Sequence, residues 1–234
     1  MASSFVIATL CVAGLALWAD FKSWKRSGTG GTPPTFSGYL RIRRWGLYLF
    51  CKRQNLLDSS SISSRGPEYL SSKSIPLRSG THPKLTRWTL PQRQHSEPIT
   101  PDAFTTLSTL MQDFANTRPY SSCITTAPSK TEGGTGHAIY VNSDVDTINP
   151  VAHKIFYELA HVHPSDNSLH VYVSSRDAKT VIEKGWGQMF PVTWLAPESW
   201  IMVYAPRDGN EVKVVREIVR AAICFAVGQE LRDE

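Results

Sequence analysis

Residues 2–19 carry no charged side chain and are rich in Val, Leu, Ile and Ala, and this run limits what the rest of the chain can be. As a helix it spans ~27 Å, enough for a thin bilayer such as that of the endoplasmic reticulum. A cleaved signal peptide is the rival expectation. Against it, no basic segment precedes the run, and Leu17 stands where a small residue would precede a cut after Ala19. The expectation is a single transmembrane anchor. Lys22, Lys25, Arg26, Arg41, Arg43 and Arg44 all follow it, and the positive-inside tendency then keeps the body on the cytosolic side.

Charge is distributed unevenly behind the anchor. Residues 1–99 hold 14 Lys/Arg against 4 Asp/Glu, and the remainder holds 11 against 16, so the net +5 conceals a basic half and an acidic half. Cations that follow an apolar segment point to an anionic membrane surface as partner, and no nucleic acid is expected. Three parts follow: the anchor 2–19, a basic linker and Ser-rich segment 20–75, and a globular domain 76–230. Residues 27–38 (SGTGGTPPTFSG) read as linker. Residues 39–53 (YLRIRRWGLYLFCKR) mix cations with aromatics. They suit either a solvated helix with one core face or a helix lying on a membrane. Cys11, Cys51, Cys123 and Cys224 are widely spaced with no CxxC pair, so reduced thiols are expected rather than a disulfide framework or a cysteine zinc site.

The domain alternates two periodicities. Thr100-Pro101 opens a helix whose core face is Phe104, Leu107, Leu110, Met111 and Phe114. Residues 116–136 read as a long loop and residues 137–141 (HAIYV) as a strand. Asn149-Pro150 starts a helix expected to run to about His161, with Val151, Ile155, Phe156 and Leu159 inward. Residues 169–173 (LHVYV) form an alternating strand with His170 and Tyr172 on the face opposite the apolar residues. A short helix over 175–184 stops at Gly185-Trp186-Gly187. A third strand (WIMVY, 200–204) and a long amphipathic helix over 211–227 close the chain. The fold class is α+β: a small sheet covered by helices, preceded by one transmembrane helix.

Chemistry concentrates in ELAHVHPSDNSLH, residues 158–170. Glu158 and His161 are three apart, His163 follows, and His170 returns on the next strand. Three imidazoles and a carboxylate suit a zinc or non-haem iron site with His161, His163, His170 and Glu158 as ligands. They equally suit a metal-free acid/base pocket. In the third reading each histidine only satisfies backbone groups. Trp186 between two glycines either presents a flat ring to a planar substrate or closes the helix as a core residue. Tyr204 and Arg207 end a strand before a helix, where Arg207 either binds an anionic oxygen or lies on the surface; these three are the candidate substrate-binding residues. No phosphate loop, GxSxG elbow or nucleotide fingerprint is present, so no nucleotide or flavin cofactor is expected.

Taken in order, the segments PTFSGY (34–39), LRSGTHP (77–83), QRQ (92–94), ELAHVH to LH (158–170), KGWGQ (184–188) and YAPR (204–207) resemble the fungal luciferase family. The resemblance implies a membrane-attached enzyme for a small molecule. In the luminous members this is a hydroxylated styryl-pyrone, 3-hydroxyhispidin, oxidised by molecular oxygen with loss of carbon dioxide and emission of light. Neither nucleotide nor flavin takes part. One departure stands out. Where luminous members continue Arg-His-Pro-Leu-Ala-Gly, this chain has Met189-Phe190-Pro191-Val192-Thr193-Trp194. The expectation is a non-luminous relative acting on another polyketide or pyrone in secondary metabolism. A non-oxidative or metal-dependent enzyme using the same pocket stays open, as does a non-catalytic binding or scaffold protein.

Overall fold

The structure is a computed structural model and describes residues 2–71, 73–145 and 149–232. Ser72, in the Ser-rich stretch, lies outside the described residues. The class is α+β, with a six-stranded antiparallel sheet and five α-helices among the described residues.

Helix α1 (Ala2–Arg26) is long and apolar enough between Ser4 and Arg26 to cross a membrane, and its outer turns are exposed. Its last turns behave differently: Phe21 and Trp24 enter the core, where the Trp24 indole donates to the Leu90 carbonyl (2.9 Å). Helix α2 (Phe36–Lys52) begins three residues before the expected start, because the Thr35 side chain caps it by accepting from the Gly38 N–H. Tyr39 and Ile42 face the core, while Leu40, Leu47, Tyr48 and Phe50 are exposed beside Arg41 and Arg44.

Helix α3 (Pro101–Asn116) buries Leu107, Leu110, Met111 and Phe114, but Phe104 is half exposed. The sheet follows: β1 (Ile124–Pro128), β2 (His137–Val141), β3 (Glu158–Val162), β4 (Leu169–Tyr172), β5 (Gly187–Met189) and β6 (Trp200–Val203), in spatial order β1-β2-β3-β4-β6-β5. Helix α4 (Ser175–Glu183) packs against β5 and β6. Helix α5 (Gly209–Val227), capped by the Asp208 carboxylate, lies with α3 across β2–β4 and covers one sheet face.

Three expectations are corrected. The helix predicted from Asn149 to His161 is only a 3₁₀ turn, Pro150–Ile155, because Phe156 and Tyr157 both take left-handed backbone (φ 56° and 61°) and end it. Val151 and Phe156 are consequently exposed rather than inward, and Glu158 starts a strand. The loop expected over 116–136 contains β1, an edge strand whose Thr-Thr-Ala-Pro sequence hides the alternation. Strand β5 was equally hidden, being three residues long; Gly187 is required there because a Cβ would stand 2.3 Å from the Met202 carbonyl oxygen.

Asp177 ties the irregular region to the domain. Buried at the start of α4, its carboxylate accepts from the N–H groups of Tyr69 (3.2 Å) and Leu70 (3.0 Å). Asp177→Ala orphans both donors and is expected to cost about 1–3 kcal/mol of stability, read as a lowered denaturant midpoint at constant slope.

Candidate functional site

Pairing of β3 with β4 sets His161 directly opposite His170 on the sheet face that α3 and α5 leave uncovered. His163 lies two residues beyond His161, so strand alternation returns it to the same face. A tight turn holds it there: the His163 N–H donates to Ser168 O (2.8 Å) and its carbonyl accepts from the Asn167 N–H (2.9 Å). Strict alternation would point Glu158 away from His161. A register shift between β2 and β3 at Ile139/Tyr140 skips Leu159 and turns Glu158 onto the histidine side. The i,i+3 pairing expected of a helix is thus made by a bulge.

The four residues are buried. The Glu158 carboxylate accepts from His161 Nδ1 (2.5 Å), Tyr140 OH (2.8 Å), Ser129 Oγ (2.9 Å), Thr131 Oγ1 (2.7 Å) and the Lys130 and Thr131 N–H groups (2.9 and 3.2 Å). His163 Nδ1 lies 2.8 Å from Ser168 Oγ, His163 Nε2 lies 3.1 Å from His170 Nδ1, and His170 Nε2 lies 3.1 Å from Gln92 Oε1. Among the described residues His161 Nε2 makes no close hydrogen bond, and the carboxylate that faces it is that of Glu132.

Glu132 was missed from sequence. It arrives from the loop after β1, is buried, and pairs through one carboxylate oxygen with Arg93, which is itself buried. Its Oε1 lies 3.5 Å from His161 Nε2 and 3.7 Å from His163 Nε2. The donor atoms of Glu132, His161, His163 and His170 all lie within 4.8 Å of one another, so these four, rather than the set containing Glu158, could hold a metal ion. The only signal was that Glu132 is the sole carboxylate between residues 116 and 136.

Electrostatics divide the imidazoles. Burial opposes charge on all three. At His161 the hydrogen bonds and charges of Glu132 and Glu158 outweigh it and raise the pKa. At His163 and His170 burial dominates, reinforced by Arg93 and neighbouring imidazoles, and both pKa values fall well below the ordinary range. Burial would raise the Glu132 and Glu158 carboxyls, but histidine contacts overcome it and hold both below the usual carboxylate range.

A cavity of about 310 Å³ opens beside the cluster. His170 and Glu132 form its inner wall, Trp45, Phe190 and Trp200 its flat sides, and Arg41, Lys130 and Lys154 add cations to the lining. His170 stacks on Trp200 (5.5 Å between centroids, 24°) and meets the edge of Phe190 (5.5 Å, 84°).

Trp186, Tyr204 and Arg207 do not line this cavity. Gly187 pairs with Val203, which puts them at the far end of the β5–β6 ladder. There the Trp186 indole donates to Pro76 O (2.7 Å) and Tyr204 OH to Gln188 Oε1 (3.1 Å). The Arg207 guanidinium pairs with Glu211, and Arg78 lies over both the Trp186 and Tyr204 rings. This knot anchors residues 76–79 to the domain.

Fold and site together define an α+β domain with a buried histidine–carboxylate centre beside a cavity of small-molecule size. Residues 157–222 match the luciferase domain model. The chain is similar to a luciferase of Neonothopanus nambi, 28% identical over 94% of this chain and 85% of that protein. A luciferase of Armillaria ostoyae is 27% identical over 88% of this chain and 80% of its own length. One of Armillaria mellea is 38% identical over 73 residues, 29% of this chain and 27% of that protein. No solved structure matches. Residues 157–222 thus carry a luciferase domain, and most of the chain is similar to luciferases of fungi. The matched domain contains Glu158 and the three histidines, while Glu132, Gln92 and Arg93 lie outside it.

Proposed function

We propose that the protein is a membrane-anchored, luciferase-like enzyme that oxidises a pyrone- or polyketide-type small molecule with molecular oxygen. The observation that carries this reading is the contact between the histidine–carboxylate cluster and an aromatic-walled cavity whose lining includes three cations. The aromatic walls suit a planar ring system, and Arg41, Lys130 and Lys154 favour an acidic one. At the inner wall the cluster offers a destination for an enol proton. The resulting enolate is electron-rich enough to hand electrons to dioxygen without a flavin or nucleotide.

Helix α1 acts as the anchor, and the exposed apolar side chains of α2 with Arg41 and Arg44 rest on the membrane surface. Arg41 and Trp45 of α2 also line the cavity, so a lipophilic substrate dissolved in the bilayer has a short path in. On this reading the enzyme sits on an internal membrane such as the endoplasmic reticulum with its domain to the cytosol, as the cations after the apolar run favour. Phe190 stands where the luminous pattern has histidine, and it touches His170. The reaction is therefore assigned as non-luminous.

The test uses the full chain in detergent micelles with an oxygen electrode. Saturable oxygen uptake with a hispidin-type enol is the expected result, with no light above background from 3-hydroxyhispidin. No uptake from any enol or pyrone tried, alongside tight ligand binding, would convert the reading to a non-catalytic binding protein.

A further inference from the structure

We infer that Glu132, His161, His163 and His170 bind one divalent first-row transition-metal ion. The inference rests on the same cluster as the proposed reaction but on different observations, namely where the protons of the three imidazoles must sit. The Gln92 amide is oriented by its Nε2, which donates to the Met189 carbonyl (3.0 Å). Its Oε1 can therefore only accept, and the His170 proton lies on Nε2, leaving Nδ1 bare. Glu158 accepts from His161 Nδ1, so in the neutral ring His161 Nε2 is a lone pair, 3.5 Å from Glu132 Oε1. Ser168 donates its hydroxyl hydrogen to Asp166 (3.0 Å), so it receives the Nδ1 proton of His163 and His163 Nε2 is bare.

Three nitrogen lone pairs and Glu132 Oε1 thus face one point. Two of those lone pairs lie 3.1 Å apart, which is repulsive with nothing between them. Protons can relieve these contacts only separately, one between His163 and His170 and another on His161 Nε2 facing Glu132 Oε1. A cation serves all four donors. Ligand atoms about 2.0–2.1 Å from a tetrahedral ion are separated by roughly 3.3 Å. Three of the six separations here are 3.1, 3.5 and 3.7 Å, and all six lie within 4.8 Å. Glu158, Ser168 with Asp166, and Gln92 are the outer partners that orient metal-bound histidines. The carboxylates of Glu132, Glu158 and Asp166 also outnumber the guanidinium of Arg93, the charge imbalance a divalent ion corrects. Three imidazoles with one carboxylate select zinc, iron(II) or cobalt(II) over magnesium or calcium. An ion at this point would acidify an enol bound beside it, so ion site and reaction describe one centre.

The experiment strips the full-length, detergent-purified chain with chelator and titrates it with cobalt(II), reading visible absorption and thermal midpoint. One equivalent should give a ligand-field band and raise the midpoint. Gln92→Leu, which removes an outer partner and no ligand, should weaken binding about 10–100-fold, with Gln92→Glu restoring it. His163→Ala and Glu132→Gln should remove the band. A folded wild type with neither band nor midpoint shift overturns the site, as does binding that survives both ligand substitutions. Cobalt binding without oxygen uptake would keep the ion and discard the oxidation; uptake by stripped protein that binds no cobalt would do the reverse.

Discussion

His161→Ala and His163→Ala each lower oxygen uptake about a thousandfold, while circular dichroism and elution volume stay those of the wild type. The magnitude is that of a group that moves a proton or stabilises charge at the reacting centre, and it lies well beyond what a distant packing defect produces. Both imidazoles are buried and neither contributes to the α3–α5 core. Removing one leaves the sheet intact and the centre broken. His161→Ala strands Glu132 and Glu158 facing each other without their shared cation partner. His163→Ala removes the link between Ser168 and His170. As a comparison, Arg207→Ala breaks the Glu211 pair at the far end of the β5–β6 ladder and should leave the rate within a few fold. The assay is steady-state uptake at saturating enol, with stability measured on the same preparations. Unchanged rates in both histidine variants would remove the cluster from the chemistry.

Much of the fold and half of the centre were visible in the residues themselves. The periodicity of α5 and the alternation of LHVYV depend on local burial, and both appear nearly as expected. What failed did so for identifiable reasons. Residues 150–161 carry apolar side chains at helical spacing, but two consecutive left-handed residues, Phe156 and Tyr157, cut the run, and no glycine or proline signals them. The histidine grouping survived that error because a strand with a bulge gathers Glu158, His161 and His163 as well as a helix end would. Glu132, Gln92 and Arg93 reach the centre from 29 to 78 positions away, a proximity that no window of sequence contains. Trp186, Tyr204 and Arg207 attracted attention because glycines and a strand end mark special backbone. They do mark it: the three side chains tie down residues 76–79 and lie away from the aromatic-walled cavity.

Glu158→Ala is expected to cost about 3–5 kcal/mol, the range for breaking a buried charged pair. The carboxylate is fully enclosed and accepts six hydrogen-bond contacts from five residues; alanine leaves all those donors buried and unserved. Its pH dependence identifies the partner. Against burial, the His161 hydrogen bond and charge depress the Glu158 pKa in the folded state, so its contribution is present above the unfolded carboxylate value of ~4.3 and fades as pH falls through the lower folded value. Against burial, Glu132 and Glu158 raise that of His161, so its contribution is complete below the unfolded imidazole value of ~6.5 and fades as pH rises through the higher folded value. Chelator-stripped wild type should therefore be most stable between those limbs, and Glu158→Ala should flatten both. Denaturant unfolding of the two proteins from about pH 2 to about pH 9 measures the difference. A constant gap across that range would mean that Glu158 serves only the backbone and hydroxyl donors of the 129–131 loop, and that the charge on His161 has no part in holding the centre together.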